Sequence, residues 1–346
     1  MSINASVVDL FCGAGGLSHG FILESMPVAA GVDIDESCRY AYEYNNRAPF
    51  VKRDVATLKP QEIENLFYKH KRRILAGCAP CQPFSVYNQK NNNPNWQLLA
   101  DFGNLVDYVR PDVVSMENVP RLLKFWEGRV FLNFINILRK ADYYITWDIV
   151  YCPDYGLPQK RSRLVLLASR LGPITLSKPM HTKKYLTVRD AIGNLKSIDA
   201  GEIDSSDPLH HASRLSETNL KRIKNSRPGG SWRDWDSNLI ANCHQENSGR
   251  GYASVYGRMV WDEPSPTITT QFYGFGNGRF GHPEQDRALS LREGAILQGF
   301  PMDYQFVEPG RPIYFAKLGR MIGNAVPVEL GRVVARSIKQ HLKAYE

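Results

Sequence analysis

The segment Gly77-Cys78-Ala79-Pro80-Cys81-Gln82-Pro83-Phe84-Ser85 sets a cysteine between two prolines. Each proline fixes its φ, so Pro80 and Pro83 stiffen the loop that presents Cys81. A thiol held on a stiff loop suits nucleophilic attack. Cys78 and Cys81 also form a C-x-x-C pair, which reads as half a zinc site or as a redox pair. No second pair follows, and His70 alone is poor ligand spacing, so a single catalytic thiol ranks above a metal or redox role. A buried structural cysteine is the plainer reading of any free thiol. The Asn-rich stretch from Tyr87 to Asn95 reads as a loop able to close over a substrate.

Three further groups could act beside that thiol. Glu117 stands in Glu117-Asn118-Val119-Pro120 at the end of an apolar run. A carboxyl in a partly apolar pocket can keep its proton and donate a hydrogen bond, although a capping or solvated acid is the simpler assignment. In Gln159-Lys160-Arg161-Ser162-Arg163, an extended backbone puts Gln159, Arg161 and Arg163 on one face. Two guanidiniums there can hold a base carbonyl or a phosphate and favour a nearby thiolate. Finally, Asp9-Leu10-Phe11-Cys12-Gly13-Ala14-Gly15-Gly16 is a glycine-rich turn that lets a ligand approach the backbone. Asp33 follows about 20 residues later, where a carboxylate can accept both ribose hydroxyls. The glycine pattern is G-x-G-G after a Phe, which favours an adenosine ligand without a pyrophosphate.

These groups need a scaffold, and the pattern predicts one. Strands are expected at 6–11, 27–32, 50–55, 73–77, 112–116, 143–151 and 163–169, and helices at 17–25, 36–47, 61–70, 97–110 and 130–140. Alternation of this kind implies an α/β domain with a mostly parallel sheet covered on both faces. The glycine turn, Asp33, Asp54, the Cys81 loop and Glu117 then all follow strand ends, where open α/β sheets bind ligands. From about residue 171 to 285 the chain turns rich in Gly, Pro, Ser and Asn, as in Ser226-Arg227-Pro228-Gly229-Gly230-Ser231. A helical pattern resumes at Leu291–Gln298, and a long helix opening on a proline runs from Pro327 to Ala344.

At 346 residues, a prior of about 150 residues per domain suggests two domains. No apolar stretch reaches the roughly 18 residues of a membrane span, and no signal-peptide pattern opens the sequence, which points to a cytoplasmic protein. Lys plus Arg is 43 against 35 Asp plus Glu, a net charge of +8, and this basic excess fits a polyanionic partner.

Six segments in fixed order carry a resemblance. They are Asp9-Leu10-Phe11-Cys12-Gly13-Ala14-Gly15-Gly16, Pro80-Cys81-Gln82, Glu117-Asn118-Val119, Gln159-Lys160-Arg161-Ser162-Arg163, the stretch from Leu291 to Pro301, and Gly323-Asn324-Ala325-Val326-Pro327. Together they resemble the DNA (cytosine-5)-methyltransferases of bacterial restriction–modification systems, over nearly the whole length apart from about 181–285. Cys12 departs from the first motif at a loosely constrained position.

The resemblance implies an S-adenosylmethionine-dependent, Rossmann-like methyltransferase domain with a smaller, loop-rich target-recognition domain. It places residues 1–180 and 311–346 in the catalytic domain, 181–285 in target recognition and 286–310 in a bridging segment. Cys81 would attack carbon 6 of a flipped cytosine, Glu117 would bond the ring, and Arg161 and Arg163 would help hold the base. Pro80, Gln82 and Ser85 would face the substrate. Phe11, Gly13, Gly15, Leu17, Asp33, Ile34, Asp54, Val55, Asn324 and Ala325 would bind S-adenosylmethionine, and no metal is implied. Double-stranded DNA would be the partner, with functional pairing to a restriction endonuclease. Trp232, Trp235, Arg227, Arg233, Asn242 and Arg250 are candidate DNA contacts, each equally readable as a core or phosphate-positioning residue.

The nearest alternative is a tRNA cytosine methyltransferase on the same motifs. A recognition region as long as 181–285 favours duplex DNA, where sequence is read in a groove. A catalytically silent binding relative is the second, against which Cys81, Glu117 and Arg163 all speak. A nicotinamide dehydrogenase is a distant third because the glycine pattern is wrong.

Overall fold

Strands buried on both faces must be apolar at successive positions, and the first half of the chain supplies such runs. The computed structural model describes residues 4–80, 94–180, 184–247 and 249–346. Two compact units emerge. The first holds Met1–Tyr155, Ser162–Met180 and Ala325–Glu346, and the second holds Gly156–Arg161 and His181–Asn324.

The first unit is built on a seven-stranded sheet. Its strands are β1 (Ala5–Leu10), β2 (Val28–Asp33), β3 (Phe50–Lys52), β4 (Arg72–Gly77), β5 (Val113–Asn118), β6 (Tyr144–Tyr151) and β7 (Ser162–Ser169). Their order is β3-β2-β1-β4-β5-β7-β6. The pairs from β3 through to β5 are parallel, and β7 runs antiparallel to both β5 and β6. Six strands therefore point one way and β7 the other.

Helices α1 (Gly16–Leu23), α2 (Arg39–Asn46), α3 (Pro60–Glu64), α4 (Leu98–Val109) and α5 (Arg129–Lys140) connect the strands, and Val328–Lys343 forms the terminal helix. Contacts group α1 with α2 and the terminal helix, and α4 with α3 and α5. Alternation along β1 separates the two layers. Val8 and Leu10 join a core with Phe102 and Val106 of α4 and Phe134 and Leu138 of α5, whereas Asp9 meets Ser18 of α1. Burying an aromatic or aliphatic side chain of this size contributes about 2–3 kcal/mol. On the other face α1 and the terminal helix touch through backbone: a Cβ added to Gly20 would stand 2.4 Å from the Gly331 carbonyl carbon.

Two elements are shorter than their patterns predict. β3 stops at Lys52 because Asp54 caps a turn at Val55–Thr57, accepting from the Ala56 N–H at 3.0 Å. α3 stops at Glu64 because Leu66 and Phe67 bond back three residues, to Ile63 and Glu64, in tighter turns.

The second unit has little regular structure: a hairpin of Ile203–Asp204 with Asp207–His211, and short helices at Val188–Ile192, Glu217–Lys224, Asn242–Gln245, Leu291–Leu297 and Phe315–Asn324. One core is aromatic, with Ile223, Trp232, Trp235, Phe275 and Ala288. Another region is ionic. Fully buried Arg287 donates from Nη1 and Nη2 to the two oxygens of Glu293, each at 2.7 Å. Arg292 forks onto Asp207 at 2.6 and 2.9 Å.

These contacts move the expected boundaries. Residues 286–310 lie within the second unit, tied to its hairpin and to Ile198 by Arg292 and Arg287. Residues 311–324 lie there too, rather than with the catalytic unit, because Gly319 and Gly323 abut the backbone at Thr270 and Thr269. The segment Gly156–Arg161 also leaves the first unit. Buried Gln159 donates to the Leu297 carbonyl at 2.9 Å and accepts from the Ile268 N–H at 3.0 Å.

Candidate active site

The chain winds outward from β1 to β3 and returns at β4, so the β1–β4 neighbourhood is the point where strand order reverses. Ligands of open α/β sheets bind beyond the carboxyl ends at such a point. Register places Leu10 beside both Val32 and Gly77, and Gly77 beside Met116. The next residues along each strand (Phe11, Asp33, Cys78 and Glu117) therefore gather at one edge.

The glycine turn takes unusual backbone there. Phe11, Gly13 and Gly15 have φ of 60°, 50° and 92°. A Cβ on Gly13 would meet nothing within 4 Å, so the turn leaves a cradle. Asp33 closes it: one carboxylate oxygen accepts from the Gly13 N–H and the other from the Asp35 N–H, both at 2.8 Å. Burial raises the pKa of Asp33, against the pull of those donors. Behind the turn, Asp9 is fully buried and accepts from the Ser18 hydroxyl at 2.7 Å, and Ser18 meets the Tyr42 hydroxyl at 2.9 Å. Burial pushes the Asp9 carboxyl up to about 7.

Ile34 is 63% exposed beside this cradle, and Asp54 is half-buried at the end of β3. Gly15 caps α1. Leu17 and Val55 are buried in the core. Exposed Asn324 ends the last helix of the second unit, and Ala325 opens the final segment of the first.

Glu117 is 3% exposed, at the end of β5. Because β7 runs antiparallel, its first residues reach the same sheet edge, with Leu164 opposite Asn118. Arg163 Nε consequently stands 2.9 Å from Glu117 Oε1. That oxygen has no aligned hydrogen bond, so the contact is a charge pairing. The other oxygen, Oε2, accepts from the Cys78 thiol at 2.7 Å. Asn118 Nδ2 donates to the Ala79 carbonyl at 3.1 Å.

Arg161 donates to the Ile268 carbonyl at 3.2 Å and to Gln159 Oε1 at 3.4 Å, within the second unit. The chain crosses from the second unit to the first at Arg161–Ser162. Pro80 is half-buried at the end of the described segment. Cys81, Gln82 and Ser85, with the loop from Tyr87 to Asn93, lie outside the described residues. Sequence reasoning missed Cys78 as a partner of Glu117. The signal was available in two strand ends that precede polar residues, but only strand order joins them.

Among the candidate DNA contacts, Trp232 and Trp235 are each 6% exposed and belong to the aromatic core. Arg227, Arg233, Asn242 and Arg250 are exposed. Arg233 and Arg250 border a recess that also touches Trp232, Ile240, His244 and Gln245. Arg233 sits over the Trp232 ring and donates to the Arg250 carbonyl at 2.7 Å. Among the described residues no cluster of His, Cys, Asp and Glu is arranged to hold a metal, and no helix is long and apolar enough to cross a membrane.

Comparison with known proteins gives this geometry a family. The chain is 52% identical over 340 residues to the Type II methylase M.HgiDII of Herpetosiphon aurantiacus, covering 98% of this chain and 96% of that one. It is 30% identical to the Type II methyltransferase M1.HphI of Haemophilus parahaemolyticus, covering 97% and 87%. Among solved structures, an Entamoeba histolytica methyltransferase, EhMeth, has the same fold, with a TM-score of 0.67 at 18% identity over 98% of this chain and 99% of that one. The family model of C-5 cytosine-specific DNA methylases matches residues 5–340, and the chain belongs to that family.

Proposed function

We propose that this protein methylates carbon 5 of a cytosine flipped out of a specific duplex DNA sequence, with S-adenosylmethionine as methyl donor. The observation that carries the reading is the buried Glu117–Arg163 pair, set at the carboxyl edge of the sheet beside the glycine cradle. The cradle suits the donor. Gly13 leaves open space, exposed Ile34 offers an apolar surface, and Asp33 holds the turn while facing the ribose position. When bound, S-adenosylmethionine supplies the methyl group that carbon 5 takes up.

The protein's own residues prepare the base. A pyrimidine ring inside a duplex is out of reach, so the base must leave the stack. Cys81 then bonds to carbon 6, which breaks the aromaticity and makes carbon 5 nucleophilic. Glu117 holds the ring nitrogen and the exocyclic amine as charge develops, and Arg163 balances the Glu117 charge. Loss of the carbon 5 proton and expulsion of Cys81 restore the ring. Arg161 helps hold the base and the active-site loop.

Residues 181–285 read the target sequence, with Arg227, Arg233, Asn242 and Arg250 as the exposed contacts. The reaction protects host DNA in the cytoplasm, at the nucleoid, against a restriction endonuclease of the same specificity. The test is bisulfite sequencing of plasmid DNA, and of tRNA, incubated with the protein and S-adenosylmethionine. Protected cytosines should recur at one DNA sequence. Cys81→Ser should lower turnover by about 10³-fold or more while leaving DNA binding intact, because a hydroxyl is far less ionised than a thiol. Methylation confined to tRNA, or near-normal turnover by Cys81→Ser, would overturn the reading.

A further inference from the structure

Glu117 needs a fixed orientation to meet a base, and its charge partner does not impose one. Arg163 pairs with Oε1 at 2.9 Å without an aligned hydrogen bond. Among the described residues, the side-chain donor aligned on the carboxylate is the Cys78 thiol, at 2.7 Å from Oε2. We propose that Cys78 is a positioning residue: its thiol holds the Glu117 carboxyl in the orientation that receives the cytosine, and yields Oε2 when the base arrives. This rests on the reading that Glu117 binds the base.

The surroundings support the role. Glu117 and Asn118, consecutive on β5, grip consecutive residues of the facing loop, Cys78 through its thiol and Ala79 through its carbonyl. The Cys78 N–H also reaches the Leu10 carbonyl at 3.3 Å, which continues the β1–β4 pairing past Gly77. Two contacts of Cys78 and one of Ala79 therefore hold this loop against β1 and β5 together. A thiol that donates its proton to a carboxylate is not the thiolate a nucleophile needs, so Cys78 does not rival Cys81. A thiol is also a weak donor. It can orient a buried carboxylate and still be displaced by the stronger N–H donors of a base edge. An alanine there would leave Oε2 of a carboxylate that is itself buried without that donor.

The test compares Cys78→Ala, Cys78→Val and Cys78→Ser in steady-state methyl transfer to a DNA carrying the target sequence. Both donor-less variants should lose about tenfold in kcat, the factor associated with a hydrogen bond to a charged group, with KM for DNA and for S-adenosylmethionine within about twofold. Cys78→Ser keeps a donor and should stay within about threefold of the parent. A double-mutant cycle supplies the second readout. On a Glu117→Gln background the Cys78→Ala loss should shrink to less than about twofold, because the group through which it acts has been altered. Unchanged kcat in both donor-less variants would overturn the proposal. So would equal losses in the alanine and serine variants, or a Cys78→Ala loss that persists in full beside Glu117→Gln. Full turnover by Glu117→Gln alone would instead remove the base-binding role of Glu117, a separate result from any of these.

Discussion

At the end of β2, both oxygens of Asp33 are already occupied by backbone N–H groups, those of Gly13 and Asp35. The residue therefore shapes the cradle as well as facing it. Its removal loosens the turn and deletes the acceptor proposed for the ribose at the same time. Asp33→Ala should weaken S-adenosylmethionine binding by about tenfold or more, measured by calorimetry on the isolated protein. The rate at saturating S-adenosylmethionine should change less, because the interaction serves ground and transition states alike. Asp33→Asn retains one acceptor and should fall between. Unchanged affinity in the alanine variant would reduce Asp33 to an anchor for Gly13.

Between elements of the first unit, one close approach is glycine on glycine. Helix α1 and the terminal helix meet where Gly20 faces Gly331, and neither backbone can yield to a methyl group placed 2.4 Å away. Gly20→Ala should destabilise the protein by about 3 kcal/mol, an overpacking cost, despite alanine's better helix propensity. Urea unfolding measures this, and an unchanged midpoint would mean that the two helices can slide apart. The contact bears on function because α1 begins at Gly16, directly after the cradle. A displaced α1 would carry Gly13 and Gly15 with it.

Over the whole molecule, the two units carry buried ionisable groups of opposite sense. In the second unit, burial depresses His282 to about 4, with Arg287 and Arg258 adding to the effect against the pull of Glu293. Burial works against the Glu293 carboxylate too, but the Arg287 guanidinium outweighs it and holds the group at about 2. Both folded values lie below the ordinary 6.5 and 4.5. Their stabilisation is present above those ordinary values and is lost as pH falls through about 4 and 2. Asp9 in the first unit is raised from 3.8 to about 7, so its contribution is present below 3.8 and is lost as pH rises through about 7. Shifts of this size are on the order of 3 kcal/mol each. Hydrogen exchange corrected for intrinsic rates should therefore show the second unit losing protection between pH 7 and 5. Asp9→Asn should raise protection of the first unit at pH 8 and flatten its dependence below that. Equal protection of the second unit at pH 7 and pH 5 would contradict the His282 assignment.

The alternation of apolar runs with helical patterns was enough to locate the strands of the sheet, because its central strands are buried on both faces and must be largely apolar. All seven strands lie where β-branched runs predict them, within a few residues. The ordered motifs also specified the family. Local pattern could not decide what depends on partners far along the chain. Cys78 and Glu117 are 39 residues apart and meet only because β4 and β5 are neighbours. Arg163 reaches Glu117 only because β7 runs against the rest of the sheet. Trp232 and Trp235 stand in a polar, glycine-rich stretch that reads equally as DNA contact or as core, and they pack into a core with Phe275. The unit boundary falls after Asn324 because Gly319 and Gly323 permit a backbone approach that no sequence period announces. Periodicity records which face of an element is apolar, and tertiary packing decides which face it meets.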